Sequence, residues 1–455
     1  MMSMKSLPLV CLSFSFFFAA AQNKKVEISV ESIPLGIPRF SVVTFKDYIS
    51  LSPVFLTESS STQSSVNLQF EIPKPSWVRV VGGGIHKDLI AHPGEKYKLK
   101  VSKDDEGSYL ERIQIHPQDP NGFCDSLNLL VNTYVSTYNT LLFSGGLAQK
   151  TARFCDSVQT SFAWVKDSLF QTYVGFRLDE LRLLGKVFSV NKMFSQRFAE
   201  KPFCPENPDY AYAFSEMYKG RFREILLKNK MAPARNAIHR YLGADTLLKL
   251  FSAEPFYPRS EVGEGAVLLG LSELISDKDY TRNELLFLMN QMADSSSYPS
   301  VKNLAANLYK KYKMPSPLDT APRIRVENQA GLSFDVPTGF DKPVYLCFFD
   351  PKSLVISQEL AALNELRKKM KEKVQFVPVI INAEPPALGR LQQTLKLNVD
   401  LFRNVQFSVL ADFRLKNDCT CMLLTPDGRY LEPLAPLPSA PDAQQVISGL
   451  LRSFR

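Results

Sequence analysis

The chain has 455 residues, 45% of them hydrophobic and 22% charged, which excludes a wholly disordered polypeptide and asks for two or three hydrophobic cores. Its formal net charge of +8 is thinly spread. The densest basic run, Arg367-Lys368-Lys369-Met370-Lys371, falls at the C-terminal end of an expected helix, where cations complement the dipole, so no nucleic-acid partner is expected.

Residues 1–21 read as a secretory signal peptide. Lys5 supplies the positive region, Leu7 to Phe18 the apolar core, and Ala19-Ala20-Ala21 a small-residue cleavage site before Gln22. That core is too short to span a bilayer, and no transmembrane segment is expected after cleavage. Cys11 lies deep in the apolar run behind Val10, where lipoprotein processing wants a small residue, so lipid anchoring is not expected either. Cleavage after Ala21 removes Lys5, taking the charge from +8 to +7, and leaves Cys124, Cys155, Cys204, Cys347, Cys419 and Cys421. An exported chain can form disulfides, but six cysteines are too sparse here for a disulfide scaffold, and their pairing stays open.

Residues 22–118 alternate as β-structure. Val26 to Val30, Val66 to Phe70 and Tyr97 to Val101 each carry apolar residues at every second position between turn residues, which predicts a small antiparallel β-sandwich. Gly82-Gly83-Gly84 lacks the Lys-Ser/Thr and helix of a phosphate loop and reads as a turn or bulge. His86, His92 and His116 have no Cys or carboxylate at ligand spacing, so neither a metal nor any other cofactor is expected.

Residues 119–318 switch to helical period. Phe123, Leu127, Leu130, Tyr134, Tyr138 and Leu141 form one stripe, ended by Gly145-Gly146, and Val158 to Phe176 carry a second. Thr281-Arg282-Asn283-Glu284 is a capping box, while Pro208 and Pro299 sit where helices begin. Six or so helices in an irregular bundle are expected. In an antiparallel hairpin about the double glycine, Cys124 and Cys155 would be offset by roughly 18 Å, beyond disulfide reach.

Residues 319–455 alternate strand and helix. A hairpin about Gln329-Ala330-Gly331 comes first, then the continuous apolar run Val344 to Phe349, as in a strand covered on both faces. A helix from Val355 to Lys371, a strand Val374 to Ile381, a helix near Leu388 to Leu397, strands Thr420 to Leu424 and Arg429 to Leu431, and a helix from Ala443 to Phe454 complete a β-α-β-α-β-β-α order. Pro378 removes a donor and argues for an edge or bulge in its strand.

That order, with Lys342 to Glu359 (KPVYLCFFDPKSLVISQE), Leu424-Thr425-Pro426-Asp427-Gly428 and Ala435-Pro436-Leu437-Pro438-Ser439, resembles a TlpA/ResA-like thioredoxin domain. With His92-Pro93-Gly94-Glu95 before a strand and Asn207-Pro208-Asp209-Tyr210 opening a helix, the whole mature chain is similar to exported thioredoxin-like proteins of Bacteroidota. The resemblance implies a multidomain α+β protein of the periplasm, with a β-sandwich, a helical middle domain and a C-terminal α/β thioredoxin-like fold.

The departures bear on chemistry. Counting back from Glu359, the family's two redox cysteines fall at Ser353 and Ile356, and counting back from Gly428, its cis-proline falls at about Cys419. Serine forms no disulfide and isoleucine is no nucleophile. Cys419 and Cys421 stand at the lost proline loop, and antiparallel pairing would bring Cys347 close to Cys421. Two readings follow. One is a non-enzymatic exported protein that keeps the fold as a binding or structural module for an unidentified protein or peptide. The alternative is an atypical thiol-disulfide oxidoreductase or isomerase using Cys419 and Cys421, with Cys347 in reserve. The first is preferred, because buried cysteines act as small apolar residues.

Overall fold

A computed structural model describes residues 24–31, 39–60, 65–82, 85–104, 107–114, 119–351 and 353–453, apart from 382, 384, 406–412, 414 and 416–418. The signal segment, Gly83, Gly84 and His116 lie outside these residues.

Eight strands come first: β1 (Lys24–Glu31), β2 (Arg39–Phe45), β3 (Pro53–Ser60), β4 (Ser65–Ile72), β5 (Ser76–Gly82), β6 (Ile85–Ala91), β7 (Lys96–Asp104) and β8 (Gly107–Gln114). They form two four-stranded sheets, ordered β4-β1-β7-β8 and β3-β2-β5-β6. The period-2 pattern does the sorting. In β4, Val66, Leu68, Phe70 and Ile72 are buried while Asn67, Gln69 and Glu71 are exposed. Those side chains meet Phe40 and Val42 of β2 and Val78 and Val80 of β5 in one core shared by both sheets. Pairing departs from the expected all-antiparallel scheme, because β1 runs parallel to β7, with Glu27 in register with Lys96. The two strands are far apart in sequence, so no tight turn imposes an antiparallel return.

The middle of the chain is helical, with eleven α-helices among the described residues where about six were expected. α1 (Pro120–Ser144), α2 (Ala148–Phe162), α3 (Ser168–Leu184), α4 (Val190–Arg197) and α5 (Pro208–Tyr218) precede α6 to α11, at Arg221–Leu226, Ala232–His239, Ala244–Phe251, Glu261–Glu273, Arg282–Ser295 and Pro299–Tyr312. Four of them have only six to eight residues, too short for periodicity to separate one from the next. The expected punctuation is in place. Gly145 ends α1 with φ +81°, Thr281 and Glu284 form the reciprocal capping box, and Pro208 and Pro299 lie in first turns. Cys124 and Cys155 are both buried free thiols.

A seven-stranded sheet closes the chain. Its elements are β9 (Ile324–Asn328), β10 (Ser333–Val336), β11 (Val344–Phe349), α12 (Ile356–Met370), β12 (Gln375–Ile380), α13 (Pro385–Thr394), β13 (Phe402–Asn404), β14 (Cys419–Leu424), β15 (Tyr430–Ala435) and α14 (Ala443–Ser453). The strand order is β10-β9-β13-β12-β11-β14-β15, with β11 parallel to β12 and antiparallel to β14. Three expectations for this sheet need correction. The three-residue β13 was not anticipated, being too short to show alternation, and β15 extends past Leu431 to Ala435.

The third correction concerns Pro378. β12 is an interior strand, flanked by β11 and β13, rather than an edge. The N–H groups of Gln375 and Ile381 donate to Pro343 and Phe349 on the β11 side, so alternation turns position 378 toward β13. β13 pairs only with Val379 and Ile380, and the missing donor falls where no ladder bond is called for.

The sheet has two covered faces, as the unbroken apolar run of β11 requires. Tyr345, Cys347 and Phe349 face Leu360 and Leu363 of α12 and Ile447 of α14, while Val344, Leu346 and Phe348 face Val336 and Phe413. Polar bonds tie the regions together: Asn307 Nδ2 donates to Asp47 Oδ2 at 2.7 Å, Lys311 Nζ to Ser50 O at 2.8 Å, and Arg39 Nη1 to Asn404 O at 3.3 Å. No helix among the described residues is long and apolar enough to cross a membrane.

Candidate functional site

The β11–α12 junction holds Ser353 and Ile356, the two positions at which the sequence resemblance sets a redox pair. β11 is buried along its whole length and delivers the chain to the start of α12. Ser353 is half-buried there; its N–H donates to Asp350 O at 3.0 Å, and its Oγ accepts from Val355 N–H at 3.3 Å. The hydroxyl therefore stabilises a local turn, as short polar side chains do at helix starts. Ile356 opens the helix half-buried and packs against the core beneath. Neither side chain is a thiol, and the turn between them faces outward: Leu354 is 99% exposed and Val355 41%.

One turn into α12, Glu359 is buried at 4% exposure. Its carboxylate accepts from the Ser439 Oγ–H at 2.5 Å and the Ser439 N–H at 3.1 Å. Buried acceptors need such partners, and these two pin the Pro438–Ser439 segment to the base of α12.

Cys347, Cys419 and Cys421 come together beneath this turn. The register sets Cys347 opposite Cys421 and Phe349 opposite Cys419, so the three cysteines share one face of the sheet. Cys421 Sγ–H donates to Cys347 Sγ at 2.8 Å, and Cys419 Sγ lies 3.9 Å from Cys421 Sγ. A disulfide would need about 2.05 Å, and all three thiols are free and buried. Burial pushes the Cys347 and Cys421 thiols up. The hydrogen bond to Cys421 pushes Cys419 up, and burial adds to it. The Glu359 carboxylate opposes a thiolate at Cys347 and Cys419 as well. A nucleophilic thiol needs the reverse: exposure, nearby positive charge, or a helix N-terminus.

The structure thus brings Cys347, Cys419 and Cys421 into one cluster and leaves Ser353 and Ile356 at the turn above it. Sequence reasoning missed the outward Leu354-Val355 pair, although two apolar residues interrupting the capping region of a helix were a visible signal. Of the histidines considered for metal, His92 pairs through Nε2 with Asp167 at 3.1 Å, an ion-pair geometry that raises its pKa through the Asp167 hydrogen bond.

No family model matches the chain, and no curated protein matches it. Solved structures do show local likeness. A putative thiol-disulfide oxidoreductase from Bacteroides vulgatus is 17% identical, with a TM-score of 0.28, over 30% of this chain and 96% of its own. A putative thiol:disulfide interchange protein DsbE from Chlorobium tepidum is 16% identical, with a TM-score of 0.27, over 30% of this chain and 97% of its own. The thioredoxin domain of another Bacteroides vulgatus thiol-disulfide oxidoreductase is 14% identical, with a TM-score of 0.27, over 30% of this chain and 98% of its own.

Proposed function

We propose that this is an exported, non-catalytic protein whose C-terminal unit is a thioredoxin-like domain retained as a binding module, beside a β-sandwich and a helical unit. One observation carries the reading. The turn where the family's thiols stand presents an exposed leucine and valine instead, while the thiols that remain are sealed beneath it. A parallel β11·β12 pair joined by α12, with β14 and β15 antiparallel beyond, supports the thioredoxin-like assignment. Such a tip suits an extended peptide or a protein surface with an apolar side chain to bury. The alternative, thiol exchange through Cys419 and Cys421, requires a thiolate at neutral pH, which the Cys421 hydrogen bond and burial oppose at Cys419 and burial opposes at Cys421.

Insulin reduction driven by dithiothreitol tests this reading. The protein is expected to add nothing to the rate of dithiothreitol alone. The double substitution Ser353→Cys/Ile356→Cys is expected to create activity, because it returns two thiols to a helix start in the spacing the chemistry uses. Strong activity of the unaltered chain overturns the non-catalytic reading. A correctly folded double variant that stays inactive overturns the thioredoxin-like assignment of the junction.

A further inference from the structure

Two cavities meet where the helical region rests on the β-strands. The larger, about 500 Å³, lies between α3 and α5, with Phe176, Leu183, Met193, Ala213 and Met217 in its walls. The smaller, about 260 Å³, lies between α1, α5 and the strands, against Tyr48 and Trp77. Asn128, Tyr173 and Asp209 line both, so the two spaces share a wall.

Three buried polar atoms without a hydrogen-bond partner gather around this pair: Asp209 Oδ2, Arg177 Nε and Trp77 Nε1. Buried polar atoms in folded proteins are almost always bonded, so three at one place call for an explanation. Capping of α5 does not supply one. Asn207 Oδ1 already accepts the N–H groups of Asp209 and Tyr210, at 3.0 and 2.9 Å. The other charges around the cavities are spoken for. Arg177 bonds Glu180 and Asn132, Lys87 bonds Asp125, Asp88 bonds Arg79, Glu216 bonds Lys219, and Arg221 donates its Nε–H to the Met217 carbonyl and lies over the Phe256 ring. Asp209 is the lining carboxylate with no bonded cation among the described residues.

We propose that the paired cavities bind a small organic amine. Its apolar body fills the larger space, its ammonium pairs with Asp209, and an oxygen on its chain accepts from the Nε–H of Arg177 or Trp77. The apolar walls provide affinity for the body and the buried carboxylate selects the charge. An anionic ligand is disfavoured by the same carboxylate.

The site has a built-in pH response. Burial pushes the Asp209 carboxyl up to about 7; Arg177 on α3 pulls it down and Asp88 on β6 pushes it up. Tyr48, Cys124 and Tyr173 also face it, and burial raises all three so that they stay neutral through this range. An ammonium ligand must meet an ionised Asp209, so its affinity falls as the pH drops below about 7.

The test uses three matched probes on the full chain by titration calorimetry: 3-phenoxypropylamine, 3-phenoxypropanol and 3-phenoxypropionate. At pH 8 the amine is expected to bind saturably, with a Kd of about 1 mM or tighter, and the alcohol and carboxylate at least about tenfold more weakly. At pH 6 the amine should bind about tenfold more weakly than at pH 8, and the alcohol unchanged. Asp209→Asn should bring the amine down to the level of the alcohol, and Ala213→Phe, by filling the larger cavity, should abolish both. Thermal melts of the two variants establish that each is folded. The proposal is overturned if the amine binds no better than the alcohol, if the carboxylate binds best, if Asp209→Asn leaves amine binding intact, or if no probe binds saturably.

Discussion

The thiol cluster of the C-terminal sheet and Asp209 of the helical region both hold enclosed, titratable atoms, yet their surroundings differ. Cys347, Cys419 and Cys421 sit among Tyr345, Leu360, Leu363 and Leu423, and each thiol has a sulfur neighbour. A neutral thiol in such a place behaves as a small hydrophobe and asks for nothing more. Asp209 is half-buried against open volume, with its Oδ2 enclosed and unbonded. A carboxyl in that position costs free energy in either protonation state, charged for want of a counter-ion or neutral for want of a partner. Burial therefore silences the cysteines and leaves Asp209 poised.

The largest expected effect follows from linkage at Asp209. Its carboxyl is held up near 7 in the folded chain, against 3.8 for an ordinary aspartate. A raised acid binds its proton more tightly when folded. The stability this confers is complete below about pH 3.8 and is lost as the pH rises through about 7. A shift of about three units corresponds to about 4 kcal/mol at most. Urea unfolding of Asp209→Asn beside the unaltered chain at pH 5, 6, 7 and 8 should show the difference between them growing in favour of the variant up to about pH 7, then levelling. A pH-independent difference would place Asp209 among the satisfied groups and dissolve the contrast with the thiols.

Room can be tested directly. Cys347→Leu puts extra methylenes into a closed core and should cost about 2 kcal/mol by overpacking. Ala213→Leu adds more bulk, but into the 500 Å³ cavity, and should stay within about 0.5 kcal/mol of the unaltered chain. Equal costs at the two sites would mean that the cavity wall is as tight as the thiol core.

Glu359 offers a finer comparison, carboxyl against carboxyl. It is more buried than Asp209 but holds two hydrogen bonds from Ser439. Ser439→Ala removes one and leaves the backbone N–H, so a loss of about 1 kcal/mol is expected in denaturant melts. A negligible loss would show that Glu359 has another partner in reserve and that its satisfaction does not rest on Ser439.

How much of this was legible in the sequence depended on the range of the interaction. The β11 run, the Gly331 hairpin and the Thr281 capping box are local patterns, and the residues that write them also make the contacts. The cysteine trio was legible once strand pairing was assumed, because Cys347 and Cys421 fall in register across one ladder. The parallel partner of β1 and the interior place of Pro378 were not, since each depends on elements distant in the chain, and the short helices escaped because each is too brief to show a period. Asp209 was the least legible. In sequence it is the third residue of an ordinary helix-opening Asn-Pro-Asp-Tyr. Its isolation arises only when α1, α3 and strands far upstream close around it.

The smallest expected effect concerns the tip of the β11–α12 junction, and it bears most directly on function. Leu354 is 99% exposed, so it contributes no burial to the fold, whereas Ile356 two residues on is half-buried against the core. Leu354→Ser should therefore shift stability by less than about 0.5 kcal/mol, and Ile356→Ser should cost about 1 kcal/mol or more through lost apolar contact. An exposed leucine with no stabilising duty is what the proposed binding surface requires of this tip. If Leu354→Ser proves as costly as Ile356→Ser, the residue is packed in the free protein, and the apolar tip loses its standing as a binding surface.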